Sequence, residues 1–398
     1  MNFYIETNNK YDCFNCTACS AICPNNCIKM IQNKDDGYYY PQKDNSKCIE
    51  CGLCKKVCIN LNNNNIKQKI KKAYVLKNKD DKVRVISSSG GISDILMRYV
   101  IENNGIVYGV KYNEKMEVIH SKANSILECE EFKTSKYVKS NLKKVYLEVK
   151  NDLKEQKLIL FTGTPCQVAG LKSFLSEKEL ENVILCEIMC DSAASPLLFK
   201  KFIQHLEEKY KGKIVKFNFR GKNGKDETKI GIIYFEDGRI IKLPANRINP
   251  YSDYMQIFGC GYSAPYSCMN CKFEDITERV SDFTIGDYWG RKVFIKNDNK
   301  GISFMLINSE KGLKIFDDVI KDKVIYEEVS VEEALDRNHV KNKSVILKKD
   351  DFYHDLSLMN FNQLKKKYVS KYRLRTMFTK MIPGDIKDKI KKSLVHKR

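Results

Sequence analysis

Two copies of one cysteine spacing near the amino end constrain this 398-residue chain more than any other feature. The first copy is Cys13-x2-Cys16-x2-Cys19-x3-Cys23-Pro24 and the second is Cys48-x2-Cys51-x2-Cys54-x3-Cys58; with Cys27, they hold nine of the chain's sixteen cysteines. In this spacing three close thiolates grip one [4Fe-4S] cube, and the fourth, a helical turn later, crosses to a neighbouring cube. One cube is therefore expected on Cys13, Cys16, Cys19 and Cys58, and a second on Cys48, Cys51, Cys54 and Cys23. Zinc would use two C-x2-C pairs per ion and leave the remaining cysteines of each copy idle. Thiols two or three residues apart rarely reach disulfide geometry. Cys27 fits neither set and is expected to pack as a small buried residue beside the iron.

Composition narrows the class. Hydrophobic content of 42% and charged content of 30% are those of a soluble globular chain. Met1–Lys10 has no apolar signal core, and no apolar run is long enough for a membrane helix, so a cytoplasmic protein with reduced thiols is expected. The net charge of +20 invites a nucleic-acid reading. That reading wants basic residues interleaved with aromatics on one element, and the lysines here are spread throughout. A positive face also suits an acidic redox partner or a phosphorylated ligand, so a partner protein is expected and nucleic acid is not.

In chain order, residues 1–60 form an expected α+β ferredoxin-like two-cluster domain, with a hairpin around Asp36-Gly37-Tyr38 between the cysteine copies. Residues 61–72, opening with Leu61-Asn62-Asn63-Asn64-Asn65, are expected to be a linker. Residues 73–345 show apolar runs at Ala73–Leu76, Ile106–Tyr112, Lys157–Phe161 and Val183–Met189, with helical spacing over Ile92–Val100, Gln167–Leu175 and Pro196–Tyr210. This alternation predicts a larger α/β domain with a mixed sheet. Ile230–Phe235 and Arg239–Leu243 flank Asp237-Gly238 as a hairpin, and Val331–Asn338 is a short helix candidate. Residues 346–398 carry Lys365-Lys366-Lys367 and further basic residues, and are expected to be a basic tail that lies free, docks on an acidic partner or touches an anionic membrane surface.

Two turns carry candidate chemistry. Ser87-Ser88-Ser89-Gly90-Gly91 opens a helix, where backbone N–H groups and hydroxyls suit a phosphate and equally suit an ordinary serine cap. Thr162-Gly163-Thr164-Pro165-Cys166 follows a buried strand and presents a cysteine at the edge where open α/β sheets bind ligands. Cys190 ends the next apolar run, and Cys268 and Cys271 form a C-x2-C pair. Cys166, Cys190, Cys268 and Cys271 are the expected ligands of a third [4Fe-4S] cluster, with scattered free thiols as the alternative and Cys260 as the substitute ligand. Cys129 and Cys186 are expected to be packing residues.

Four ordered motifs from about Ala73 to about Val340 resemble the coenzyme F420 hydrogenase/dehydrogenase beta-subunit family: Ser87–Gly91, Ser135-Lys136-Tyr137-Val138-Lys139-Ser140, Gly163–Leu171 and Ser281–Gly290. A fused two-cluster ferredoxin module is a frequent arrangement in that family. The resemblance implies an FAD and [4Fe-4S] oxidoreductase acting on a small-molecule organic substrate or deazaflavin, with ferredoxin or another oxidoreductase as partner. It further implies FAD contacts from Ser88, Ser89, Gly90, Gly91, Ser135, Lys136, Tyr137, Gly163 and Thr164, with Lys136 as charge partner, and a setting near polysaccharide or cell-surface sugar pathways. A non-catalytic electron-transfer subunit feeding a separate enzyme is the alternative. The chain departs from the family at Cys190-Asp191, where a histidine usually follows the cysteine; no acid/base role passes to this position, and Asp191 is expected to be a helix cap. A Gly-x-Gly-x-x-Gly dinucleotide fingerprint is missing, so no pyridine nucleotide is expected.

Overall fold

A computed structural model describes residues 2–62, 66–222, 230–245, 248–274, 277–290, 293–296, 298–336 and 349–369. The amino-terminal cysteines sit on short helices, Ala18–Ile22 and Leu53–Lys56, and on the loops that lead into them. Between the two copies, β1 (Ile28–Gln32) and β2 (Tyr39–Lys43) pair antiparallel as a hairpin. The linker expectation fails next: residues within 61–72 are structured, with β3 (Gln68–Lys69) paired to a strand more than two hundred residues later and Lys72 already inside β4 (Lys72–Asn78). Asn63–Asn65 lie outside the described residues.

The remaining strands are β5 (Ile106–Tyr112), β6 (Val118–Ala123), β7 (Ile159–Gly163), β8 (Val183–Ile188), β9 (Ile214–Gly221), β10 (Ile230–Phe235), β11 (Ile240–Pro244), β12 (Glu278–Arg279), β13 (Phe283–Asp287), β14 (Ser303–Ile307) and β15 (Val324–Val329). Eight of them form one mixed sheet in the order β15-β4-β14-β13-β8-β7-β5-β6. Strands β5, β7, β8 and β13 run parallel, and β4 shares their direction because it and β13 are both antiparallel to β14. Strands β9, β10 and β11 make a separate antiparallel sheet.

The apolar runs are continuous because the central strands are covered on both faces. Ile159 and Phe161 point into a cluster with Val149, Val168 and Leu171, beneath the helices Val145–Lys154 and Pro165–Phe174. Leu160 points the other way, toward Ile95, Leu96 and Val100 of the helix Ile92–Glu102. The buried thiols Cys129 and Cys186 pack in that second cluster. A third cluster is largely aromatic and gathers Phe199 and Phe202 of the helix Pro196–Tyr210, Phe217 and Phe219 of β9, and Tyr251 and Tyr254.

Two expectations are corrected here. Residues 349–369 do not begin a free basic tail: Phe352, Tyr353, Leu356, Phe361 and Leu364 are buried in the aromatic cluster, and Lys366 and Lys367 lie exposed in the helical turn that follows. Apolar residues at helical spacing outweigh the charges beside them. Residues 370–398 lie outside the described residues. Nor does Asp191 cap a helix. Pro196 occupies the first helical position, so the cap falls on Ser195, whose Oγ accepts from the N–H groups of Leu197 at 3.1 Å and Leu198 at 3.3 Å. The helix expected at Val331–Asn338 spans Val331–Ala334, with Asn338 outside the described residues.

The hairpin docks on this same cap. Ser195 Oγ donates to the carbonyl of Asp36 at 2.5 Å, and Tyr38, 1% exposed, places its hydroxyl 2.8 Å from the carbonyl of Ala193. The tyrosines of the hairpin therefore serve the joint between the two parts of the chain. Among the described residues, no helix is long and apolar enough to cross a membrane.

Burial of residues 349–369 yields a direct test. Phe352→Ala removes a ring that is 0% exposed and should lower unfolding stability by about 3–5 kcal/mol. On a free tail the same change would stay within about 0.5 kcal/mol. Chemical denaturation distinguishes the two.

Candidate functional site

The shared direction of β4, β5, β7, β8 and β13 puts their carboxyl ends on one edge, where the sequence places most of its candidate chemistry. Cys166 is the second residue of the helix Pro165–Phe174, which starts directly after β7; Thr164 caps it together with Gln167. Cys190 lies two residues past β8, while Cys268 sits in the helical turn Tyr266–Asn270 and Cys271 caps it. These four thiols converge. Cys190 acts electrostatically on Cys268, Cys166 and Cys271, and Cys268 on Cys271 and Cys166. Cys260 instead caps the helix Pro250–Gly259, with Tyr262 as its electrostatic neighbour.

Among the amino-terminal cysteines, Cys19 is coupled to Cys16, Cys13, Cys58 and Cys54, and Cys54 to Cys51 and Cys23. Cys48 joins this second group through Cys27, whose Sγ lies 3.2 Å from Cys23 Sγ. Cys27 is thus more than a packing residue: its thiol lies within the sulfur group itself. A cavity of about 340 Å³ opens against Cys23, Cys48, Cys51 and Cys54, and Cys51 is exposed.

Burial sets the chemistry of these thiols. It pushes Cys16 up to about 12, with Cys58 and Cys166 adding to the effect, and Cys268 up to about 12, with Cys271 and Cys166 adding. Cys13, Cys19 and Cys190 are driven up for the same reasons. Crowded, desolvated thiols remain protonated at neutral pH unless a cation neutralises them; metal binding deprotonates the ligand outright. None of the sixteen cysteines is joined in a disulfide. Among the described residues no three His, Cys, Asp or Glu side chains close on one ion-sized point.

The segment Ser135–Ser140 ties this edge together. Ser135 donates from its backbone to Ser88 Oγ at 2.8 Å, bringing the first two family-like motifs into contact. Tyr137 accepts a bond of 2.9 Å from Arg220, which also reaches Asp287 at 2.5 Å and the carbonyl of Ser88 at 3.0 Å. Lys139 Nζ lies 3.1 Å from Cys166 Sγ. Ser140 lies 2.9 Å from His120 Nδ1 and accepts from Gln167 at 2.9 Å, while His120 Nε2 meets the carbonyl of Thr162 at 3.0 Å. Burial lowers His120 to about 4, so it is a neutral core histidine.

Of the nine residues assigned to FAD, Ser88, Ser135 and Tyr137 meet around Arg220, and Thr164 bonds with Cys166 and Gln167, with Gly163 at the end of β7. Ser89 Oγ donates to the carbonyl of Ile302 at 2.8 Å, and the N–H of Gly90 to Ser303 Oγ at 2.9 Å. Both groups are therefore engaged within the protein. Gly90 is required by close approach, since a Cβ there would lie 2.8 Å from the backbone N of Ser303. Gly91, at φ 77°, starts the helix Ile92–Glu102. Lys136 donates to the carbonyls of Glu131 and Thr134 at 2.7 and 3.0 Å; burial, then Lys216, lowers it to about 7.

Arg220 and Lys222 were not anticipated. Lys222 donates to the carbonyls of Arg84, Ser89 and Lys300 at 2.6, 3.1 and 2.5 Å, pinning the serine loop. Trp289 lies beside Arg220, with 5.9 Å from guanidinium to ring centre. The alternation Phe217-x-Phe219-x-Gly221 hints only that Arg220 faces away from the aromatic core.

Fold and site together define a mixed α/β domain with a cysteine group at its ligand-binding edge, joined to a cysteine-rich module. Residues 156–333 match the family described as the carboxy-terminal part of the coenzyme F420 hydrogenase/dehydrogenase beta subunit. Among solved structures, a chain of the F420-reducing [NiFe] hydrogenase complex from Methanosarcina barkeri is similar over 72% of this chain and 91% of its own, at 15% identity and TM-score 0.43. No curated protein matches the chain.

The two cysteine-bearing parts meet at Gly170, where a Cβ would lie 2.7 Å from Tyr146 Oη and 2.8 Å from Cys16 Cβ. Gly→Ala inside a helix normally gains about 1 kcal/mol, while overpacking costs about 1–3 kcal/mol. Gly170→Ala should therefore lower the melting temperature. A variant at least as stable as the parent would refute this close packing.

Proposed function

We propose that the chain is an iron–sulfur flavoprotein oxidoreductase that passes electrons between a partner protein, such as ferredoxin or another oxidoreductase, and a small organic substrate or deazaflavin. One observation carries the reading: Cys166, Cys190, Cys268 and Cys271, from three separated segments, gather at the sheet edge, and Cys166 lies within electrostatic range of Cys16. The family's name, that of a hydrogenase and dehydrogenase beta subunit, supports electron transfer and oxidoreductase chemistry. Sixteen thiols outside any disulfide fit a reducing compartment.

In this reading Cys13, Cys16, Cys19 and Cys58 hold one [4Fe-4S] cluster, Cys48, Cys51, Cys54 and Cys23 a second, and Cys166, Cys190, Cys268 and Cys271 a third. FAD would lie against Ser88, Ser135 and Tyr137, with Arg220 supplying a fixed positive charge and Trp289 an aromatic face. A flavin takes electrons in pairs and releases them singly to iron–sulfur cubes, and that is the chemistry these groups bring when bound. The protein's own part is placement. Asp287 and Tyr137 aim the guanidinium of Arg220, and Lys222 fixes the loop that carries Ser88. Exposed Cys51 marks the face where a partner protein would dock.

Anaerobically purified protein should carry flavin and iron for three cubes. Cys166→Ser and Cys268→Ser should each lose about a third of the iron and keep the signals of the amino-terminal pair. Iron content equal to the parent in both variants would remove the third cluster. Dye reduction by the isolated chain indicates an enzyme; reduction only with a partner present indicates an electron-transfer subunit.

Lys136 adds a pH dependence. Its depressed pKa of about 7 leaves it charged below that value and neutral above. If it holds a flavin phosphate, FAD affinity should fall as pH rises from about 6 to about 8, and Lys136→Met should flatten the curve. Fluorescence titration of FAD at several pH values reads this out.

A further inference from the structure

We propose that Lys139 is a positioning residue whose ammonium raises the reduction potential of the cluster held by Cys166, Cys190, Cys268 and Cys271, bringing it into line with the neighbouring amino-terminal cluster. The inference rests on the cluster reading above and extends it to a residue of the Ser135–Ser140 motif that had no role assigned to it.

Geometry places this charge against a ligand sulfur. Lys139 Nζ is 3.1 Å from Cys166 Sγ and is also within electrostatic range of Cys268 and Cys190. Its influence on Cys13 and Cys16 of the amino-terminal module is smaller. The residue is 6% exposed, so solvent screens it little. Its root is held: the backbone N–H donates to the carbonyl of Ala194 at 2.9 Å, and the next residue, Ser140, is locked between His120 and Gln167. Lys349, the other buried lysine near Cys268, is different. It is spread over the carbonyl of Gly261 at 3.5 Å, Met269 Sδ at 3.8 Å and the faces of Tyr266 and Tyr353.

When one electron enters a cube, no bond forms or breaks and the site becomes one unit more negative. A fixed positive charge against a ligand sulfur, in a medium of low dielectric, stabilises that reduced state. Reduction becomes easier, and transfer from the adjacent cluster runs less uphill. The same charge offsets part of the repulsion among four buried thiolates.

The test is a redox titration of the anaerobically purified full chain with dithionite, followed by electron paramagnetic resonance, alongside iron counts. Lys139→Met and Lys139→Gln should shift one cluster to more negative potential by at least the 59 mV that a tenfold change represents for a one-electron couple. Lys139→Arg, which keeps the charge, should restore most of the shift. Unchanged potentials in the Met and Gln variants at full iron content overturn the role of Lys139 and leave the three-cluster reading standing. A parent protein with iron for only two cubes overturns both. Should the neutral variants lose the third cluster, its retention in Lys139→Arg supports the charge, and its loss there too overturns it in favour of packing.

Discussion

Thiols packed together away from water resist ionisation, and this resistance governs how the chain is built. Burial pushes Cys16 and Cys268 up to about 12 and their neighbours higher, each thiol making the next harder to charge. A protein of this size could have filled the same space with valine or leucine at no electrostatic cost. Under the cluster proposal twelve thiols stand in three sets, drawn from segments as far apart as Cys13 and Cys271. Protonated, they pack as small apolar groups; as metal ligands they would be deprotonated, with the bound cations offsetting their charge.

A second constraint follows from how these groups are held together. The segment Ser135–Ser140 is short, yet successive side chains reach the serine loop, the arginine of the small sheet, the cysteine at the end of β7 and the core histidine. Displacement of this one segment would therefore disturb the proposed flavin contacts and the sulfur group at once. Tyr254 adds to the rigidity by donating from its hydroxyl to the carbonyl of Tyr137 at 2.9 Å. The aromatic cluster thereby supports the edge at which chemistry is proposed.

Much of this was legible because it is local. Cysteine spacing depends on a few consecutive residues, and continuous apolar runs such as Ile106–Tyr112 mark strands whose bounds the structure repeats. Cys166, Cys190, Cys268 and Cys271 were singled out because each follows a strand or forms a C-x2-C pair, and the structure puts them within electrostatic range of one another. Contacts made across the chain left no such trace. Arg220 and Lys222 take their meaning from Asp287, Ser88 and Ser89, none of them near in sequence. The helix at residues 349–358 was hidden for another reason: the basic run Lys365-Lys366-Lys367 that follows it dominates the composition of the segment, while Phe352, Tyr353 and Leu356 pack in the aromatic cluster. The serine loop was half legible. Gly90 is required by close backbone approach and Gly91 by its positive φ, needs that a sequence cannot distinguish from a phosphate cradle.

The order of the sulfur groups carries a functional argument. Cys51 is exposed; Cys54, in the same group, acts on Cys19 of the next; and Cys16, in that group, acts on Cys166 of the third. Under the three-cluster proposal these pairs would link the groups in a line from exposed Cys51 inward. Such a line requires the amino-terminal module to be seated firmly, because a small opening at the joint would break it. Seating is provided at two points that differ in kind. Ser195 binds the carbonyl of Asp36 while capping a fifteen-residue helix, and Gly170 lets the helix of Cys166 lie directly on Cys16. One is a polar latch and the other a missing side chain, and both fall within the stretches that flank Cys166 and Cys190. The residues that bring sulfur to the edge and those that dock the module are thus neighbours in the chain, which couples correct folding of the edge to continuity of the path.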